Sequence, residues 1–330
     1  MKKIDVVTIG SAVKDIMFYS DEISILKNAK DLTRQKLIAV EYGAKIELDK
    51  VFVNYGGGAC NVAIGLKNFG LSVAPLIRLG KDWVGQEFYY FLKDRGLITG
   101  LIEVDHEHPT GFSIILTAAQ DKEHTIFTYK GASCFLTIPS NLKQVKPDWL
   151  YVSPLSMAKW EVEFKKIVDF AALTKEQTKI LWNPGSKQLK DYKKMKTFLP
   201  AVDVLIVNKD EAIELVLNLY GKHVEKAKVN QSRYLLDLLK DTGVKNAVIT
   251  AGGRGAYGVD ENNRYYYRKS EAKKIVDTVG AGDAFASGFL AGFHVFKNFE
   301  KALILGTKNS AGGLSEIGAQ NGLLKVRLSR

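Results

Sequence analysis

The chain has 330 residues, 46% of them hydrophobic, enough to bury a substantial core as one large domain or two. Its 47 basic and 36 acidic residues leave a net charge of +11, which suits an acidic partner, yet the lysines are dispersed without the aromatic interleaving of a nucleic-acid surface. Two cysteines, Cys60 and Cys134, exclude a disulfide framework and point to a reducing compartment.

The opening run MKKIDVVTIGSAV has two lysines and an apolar stretch, but Asp5 interrupts it and Lys14 and Asp15 follow, so it reads as a buried first strand rather than a leader. From there short β-branched runs alternate with segments of helical period, the pattern of a parallel sheet covered by helices. Strands are predicted at 4–10, 72–80, 148–153, 178–183, 203–208 and 246–252, and their continuous apolar character marks them as buried on both faces. Helices are predicted at 59–69, 84–95, 160–174, 209–219, 231–241, 282–296 and 299–314. The lysine-dense stretches 187–196 and 221–228 read as solvated surface. Two segments, 37–54 and 110–129, alternate apolar and polar residues and read as hairpins with one wet face. The expected fold is therefore a single α/β domain over 1–330: a central, mostly parallel sheet flanked by helices on both faces. A small β lid is expected from insertions at about 37–56 and 108–130.

The most membrane-like run, Ala281 to Phe296, falls short of the ~20 apolar residues of a spanning helix and contains Asp283 and His294. Gly288 and Gly292 within it are spaced for close packing of a neighbouring element. A soluble cytoplasmic protein is expected, with neither a membrane nor a nucleic acid as partner.

Ligand groups in such a fold gather at the carboxyl ends of strands. In DTVGAGDAFASGF (277–289), Gly280, Ala281 and Gly282 form the turn that opens a helix, where unpaired N–H groups and the helix dipole favour an anion. Asp283 in that turn is either a helix-terminal acid or a base that takes a hydroxyl proton while the amides hold a transferring phosphoryl group. NYGGGACN (54–61) joins three glycines to Asn61, a donor and acceptor suited to sugar hydroxyls, or else is simply a flexible hairpin exit. In NKDE, Asn208 and Glu211 share a helix face and serve either a Mg²⁺ water shell or a helix cap. TAGGRG (250–255) is a further strand end followed by glycines, compatible with nucleotide phosphates or ribose. The P-loop motif is absent, since Gly80-Lys81 is followed by Asp82.

In this order, GSAVKD, GGGACN, GKDWVG (80–85), TG (110–111), NKDE, TAGGRG, DTVGAGDAFASGF and GAQ (318–320) make the chain resemble the ribokinase-like family of sugar and nucleoside kinases, the PfkB carbohydrate kinases. The resemblance implies an ATP- and Mg²⁺-dependent transfer to a small sugar or sugar-like acceptor, with Asp283 as general base and the amides of Gly280, Ala281 and Gly282 as anion hole. It places Asn208, Thr250, Gly252, Gly255 and Asn309 at the nucleotide, Glu211 at Mg²⁺ through water, and Asp15, Gly57 and Asn61 at the acceptor. It also places Asp277, Val279, Ser315 and Gly318 in the segments that hold K⁺ in several members. Val13 and Val152 stand where ribokinases carry polar sugar ligands, so ribose fits poorly and a nucleoside is the alternative acceptor. A silent nucleotide-binding protein would be expected to lose the base, the glycine turn or the NxxE element, and all three are present. The lid edges are the expected pairing surface of a homodimer.

Overall fold

A computed structural model of the chain describes residues 3–27, 36–48, 50–118, 124–139, 142, 145–174 and 178–329. Eight strands form the main sheet, in the spatial order Tyr265–Arg268, Ala256–Val259, Asn246–Thr250, Val204–Asn208, Lys179–Trp182, Trp149–Val152, Val6–Ile9 and Val73–Leu76. The six from Asn246–Thr250 to Val73–Leu76 are parallel. The first two add an antiparallel hairpin at the edge. Its tight turn suits the sequence, because the Asp260 carboxylate accepts from the amides of Asn262 and Arg264 while Asn263 takes a left-handed conformation, which asparagine tolerates well.

Two cores flank this sheet, and alternate residues of each strand feed them. Val7, Ile9, Leu150, Val152 and Val207 pack with Trp160, Phe164, Leu215 and Leu235 from helices Trp160–Leu173, Lys209–Tyr220 and Ser232–Lys240. Val6, Val73, Trp149, Tyr151 and Ile206 pack instead with Cys60, Phe88, Phe289 and Phe299 from helices Gly58–Asn68, Trp83–Asp94, Ala281–Phe296 and Phe299–Gly313. With both faces covered, each of these side chains contributes about 1.5–3 kcal/mol by leaving water, which is why the strands are uninterrupted apolar runs. The two carboxy-terminal helices pack tightly: a Cβ on Gly288 would lie 2.7 Å from the Leu305 carbonyl, and one on Gly292 would lie 2.9 Å from the Ala302 Cα. Among the described residues no helix is long and apolar enough to cross a membrane.

A second, four-stranded sheet has the order His124–Gly131, Thr110–Ala118, Val13–Ser20, Lys50–Gly56. Here the expected hairpin over 37–54 is corrected. Lys36–Ala39 pairs with Ser24–Lys27, whereas Lys50–Gly56 runs antiparallel to Val13–Ser20. The alternating pattern identifies the strands but not their partners, since it records one wet face and nothing about which edge is adjacent. The strand Val13–Ser20 leaves the carboxyl end of Val6–Ile9 and crosses directly into this sheet, setting Asp15 opposite Asn54 and Ser113. The lysine-dense stretch at 187–196 is also more than surface. It forms helices Ser186–Lys190 and Tyr192–Phe198, which bury Leu189 and Met195 almost completely.

Candidate active site

The carboxyl ends of the parallel strands meet the amino terminus of helix Ala281–Phe296. Gly280 begins that helix in a left-handed conformation, with φ 75° and ψ 4°, and no side chain caps it. A Cβ on Gly280 would lie 2.3 Å from the Ala319 Cβ, so both the backbone and the packing require glycine. Gly282, by contrast, faces open space. The first turn therefore directs its dipole and backbone amides into a cleft. The turn is clamped from beneath by Asp277, which is 5% exposed and accepts from the Val279 amide at 3.0 Å and the Gly318 amide at 2.8 Å. Gly280→Ala is expected to lose about 2 kcal/mol or more of stability, from left-handed strain plus the clash with Ala319. Thermal unfolding measures this as a lowered Tm.

Asp283 lies in the first turn of that helix and is half-buried. It does not cap the helix. Its Oδ2 instead accepts from Asn61 Nδ2 at 2.9 Å, and Gln320 Nε2 donates in turn to Asn61 Oδ1 at 2.9 Å and to the Tyr55 carbonyl. Burial pushes the Asp283 carboxyl up to about 6; the Asn61 bond opposes that shift and the Asp15 charge adds to it. Asp15 is likewise raised to about 6 by burial, against the opposing effects of Ser113 and Lys130. Two half-buried acids with raised pKa values thus flank the glycine run, since a Cβ on Gly56 would meet Asp15 and one on Gly58 would lie 3.5 Å from Asp283 Oδ1.

The three glycines of GGGACN are spacers for this arrangement. A Cβ on Gly56 would lie 2.1 Å from Asp15 Oδ2, one on Gly57 (φ 95°) would lie 2.4 Å from the Ser11 carbonyl, and one on Gly58 would lie 2.9 Å from Ser153 Cβ. Val13 and Val152 are both buried, at 4% and 0% exposure. Cys60 sits fully buried beneath the site, where burial and the Asp283 and Asp15 charges push its thiol well up, so it is no nucleophile.

On the other side of the turn a cavity of about 230 Å³ is lined by Thr250, Gly252 and Gly255 from the TAGGRG loop, by Ala281 and Gly282, and by Phe285, Thr307 and Ser310. Its volume and mixed lining suit a planar ring with a polar edge. Asn309 is not part of it, which corrects the expected nucleotide contact. That residue is 0% exposed, its Nδ2 donates to the Ala284 carbonyl and Ser287 Oγ, and its Oδ1 accepts from the Leu324 amide. The neighbours Thr307 and Ser310 face the cavity in its place.

Asn208 and Glu211 form a reciprocal cap on helix Lys209–Tyr220: Asn208 Oδ1 accepts from the Glu211 amide at 2.9 Å and Glu211 Oε2 from the Asn208 amide at 2.8 Å. Among the described residues the other carboxylate oxygen of Glu211 has no hydrogen-bond partner. Burial, with Glu214 and Asp210 adding to it, raises the Glu211 pKa against the opposing Asn208 bond, so a cation beside it would relieve an electrostatic cost. Tyr151, fully buried, is pushed up by burial and then by the charges of both Asp283 and Glu211. Ser315 is turned inward, its Oγ donating to the Gly312 carbonyl at 2.7 Å, next to the segment that Asp277 ties to Gly318. Gln320, Ser113 and Lys130 were not identified from sequence as site residues. For Gln320 the only signal was the GAQ triplet, because its partner Asn61 is 259 residues away.

A family model described as pfkB family carbohydrate kinase matches residues 4–326, and the chain belongs to that family. An ATP-dependent 6-phosphofructokinase of Thermoanaerobacterium thermosaccharolyticum is 26% identical over 96% of this chain and 90% of its own. A ribokinase of Arabidopsis thaliana solved with ribose and ATP shares the fold with a TM-score of 0.76 at 18% identity, covering 98% of this chain and 96% of that one. A Burkholderia thailandensis nucleoside kinase solved with inosine gives 0.73 at 16% identity, covering 96% and 93%. The chain is accordingly a phosphotransferase with an alcohol group as acceptor, of an ATP-using family.

Proposed function

We propose that this kinase transfers the γ-phosphoryl group of ATP to a hydroxyl of a small sugar or sugar-like acceptor, with Asp283 as general base. The observation that supports this reading best is the position of Asp283. It lies between an uncapped helix start on one side and Asn61 with Asp15 on the other, and its pKa is raised to about 6. The acceptor hydroxyl gives its proton to the Asp283 carboxylate as its oxygen bonds to the γ-phosphorus. The bond from that phosphorus to the β-bridging oxygen breaks, and ADP leaves. The amides of Gly280, Ala281 and Gly282 hold the charge on the transferred group. Asp15, Gly57 and Asn61 position the acceptor, while Thr250, Gly252 and Gly255 border the nucleotide.

Glu211, with Asn208, fits a Mg²⁺ held through water, since burial and the nearby Glu214 and Asp210 charges raise its pKa and a cation would offset them. Such an ion neutralises phosphate charge. The segments carrying Asp277, Val279, Ser315 and Gly318 are the place for K⁺. The four-stranded sheet acts as a lid that brings Asp15 to the acceptor and excludes water. A nucleoside is the second reading, because Val13 and Val152, buried at 4% and 0% exposure, offer no polar atom at the positions where ribokinases carry sugar ligands. The test is acceptor-dependent ADP release across nucleosides, pentoses, hexoses and sugar phosphates. Equal release with every compound would count against the proposal.

The outer face of the lid sheet carries cross-strand rows of apolar residues, among them Phe127, Ile114, Ile16 and Val53 in one row and Tyr129 and Phe112 in the next. Phe127 is 59% and Val53 52% exposed. A second copy of the chain is the proposed cover for this face. Val53→Glu with Phe127→Glu is expected to yield monomers in sedimentation velocity, while the wild type sediments as a dimer.

A further inference from the structure

A separate cavity of about 370 Å³ opens where the end of helix Gly58–Asn68, the end of helix Trp83–Asp94 and the 320–325 segment meet the strand Lys50–Gly56. Its charged lining is entirely basic: Lys67, Arg95 and Lys325, with no Asp or Glu. Side-chain amides of Asn68, Gln320 and Asn321 also line it, with the Gln320 Nε2 already donating to Asn61 and the Tyr55 carbonyl and the Asn321 Nδ2 to the Ile317 carbonyl. Among the described residues none of the three cations is ion-paired. Arg95 lies flat on the Phe91 ring, 3.5 Å from its centroid, and burial holds its guanidinium below the usual arginine range against the opposing charge of Asp94, which lies outside the cavity lining. The carboxyl ends of two helices account for a basic residue at Lys67 and at Arg95. They do not account for Lys325, which comes from a non-helical segment, or for the amides that converge with it.

Three cations without an ion pair in one concavity repel one another until an anion enters, and that anion gains charge-assisted hydrogen bonds from them. A Gln320 on this wall also donates to Asn61, which donates to Asp283. We propose that this cavity binds a small anion of two or more negative charges, of the phosphate-ester or polyphosphate class, as an effector. Its occupancy is transmitted through Gln320 and Asn61 to Asp283. The binding stands independently of the proposed reaction; only its consequence at Asp283 rests on that reading.

The probe is inorganic pyrophosphate, titrated calorimetrically into the full chain with the nucleotide site saturated by ADP and Mg²⁺ absent. One equivalent is expected to bind, with an affinity that falls as salt rises. Arg95→Gln with Lys325→Gln is expected to weaken it at least tenfold. Lys165→Gln with Lys166→Gln, which removes the same charge from an exposed helix face elsewhere, is expected to leave it unchanged. No binding to the wild type, or equal losses in both double variants, overturns the site. The side-chain amide resonance of Asn61 is expected to move on pyrophosphate addition in the wild type and to stay put in Gln320→Leu. A resonance that ignores the anion in the wild type, or moves equally in both, overturns the coupling while leaving the kinase reading untouched.

Discussion

Asp283→Asn is expected to cut turnover by about 10²–10⁴-fold while ADP binds within about threefold of the wild-type affinity. The size follows from the role: an amide at this position cannot take the acceptor proton. The preserved binding follows from the geometry. The cavity proposed for the nucleotide is lined by Gly282 and Phe285 on either side of residue 283 but not by its side chain, and an Asn oxygen still accepts the Asn61 bond. A steady-state kcat paired with calorimetric ADP affinity separates the outcomes. Turnover within tenfold of the wild type would remove Asp283 as base, and joint loss of turnover and ADP binding would mean that the turn itself had collapsed. The same measurement on Asp15→Asn is expected to fall mainly on the acceptor KM, because Asp15 enters from the four-stranded sheet and lies on a different element from the helix proposed to hold the phosphoryl group.

What could be read from the sequence follows how local its physical cause is. The parallel strands were legible because burial on both faces writes itself as an apolar run, as in Val204–Asn208. The helices were legible because one face is periodic. Val13–Ser20 was missed because both its partners are distant in sequence: it pairs with Lys50–Gly56 and Thr110–Ala118, and nothing in VKDIMFYS records either. Helices Ser186–Lys190 and Tyr192–Phe198 were hidden by their lysines, since a buried Leu189 and Met195 are too sparse to set a period. At the site, the glycine turn and Asp283 were legible because glycine is needed for both the left-handed backbone and the close approach to Ala319. Asn309 against Ser310 was not legible. One residue rotates a side chain by about 100° around a helix, and only the packed structure says which of the two faces the cleft. For NKDE the capping box and the cation site use the same two side chains, so the sequence could not separate them; the structure shows the cap and leaves one Glu211 oxygen over.

The paired acids also set a pH dependence whose sign can be worked out. Unfolded, Asp15 and Asp283 ionise near 3.8; folded, each ionises near 6. Between those values the folded chain holds more protons than the unfolded chain, so stability from this source is full below pH 4 and is lost as pH rises through 6. A shift of two units corresponds to about 3 kcal/mol for one fully enclosed group, and the open cleft and the mutual influence of the two charges keep the pair well below twice that. Asp105 works in the opposite direction. Burial raises its pKa, but the Glu107 and His108 amides and Arg78 outweigh that and hold it at about 2, so its contribution is present at neutral pH and lost in acid. The clean observable is therefore a difference. Asp283→Asn is expected to be more stable than the wild type at pH 8, and the gap should close by pH 4, as read from denaturant midpoints. Activity should run the other way, because only the ionised carboxylate can accept a proton: kcat/KM is expected to climb at least about tenfold per pH unit well below 6, more steeply where Asp15 must ionise as well, and to level off above about 6, with the single slope restored in Asp15→Asn. A variant that is no more stable than the wild type at pH 8, with a wild-type profile flat from pH 5 to 8, would mean that Asp283 is neither strained by its burial nor the group that takes the proton.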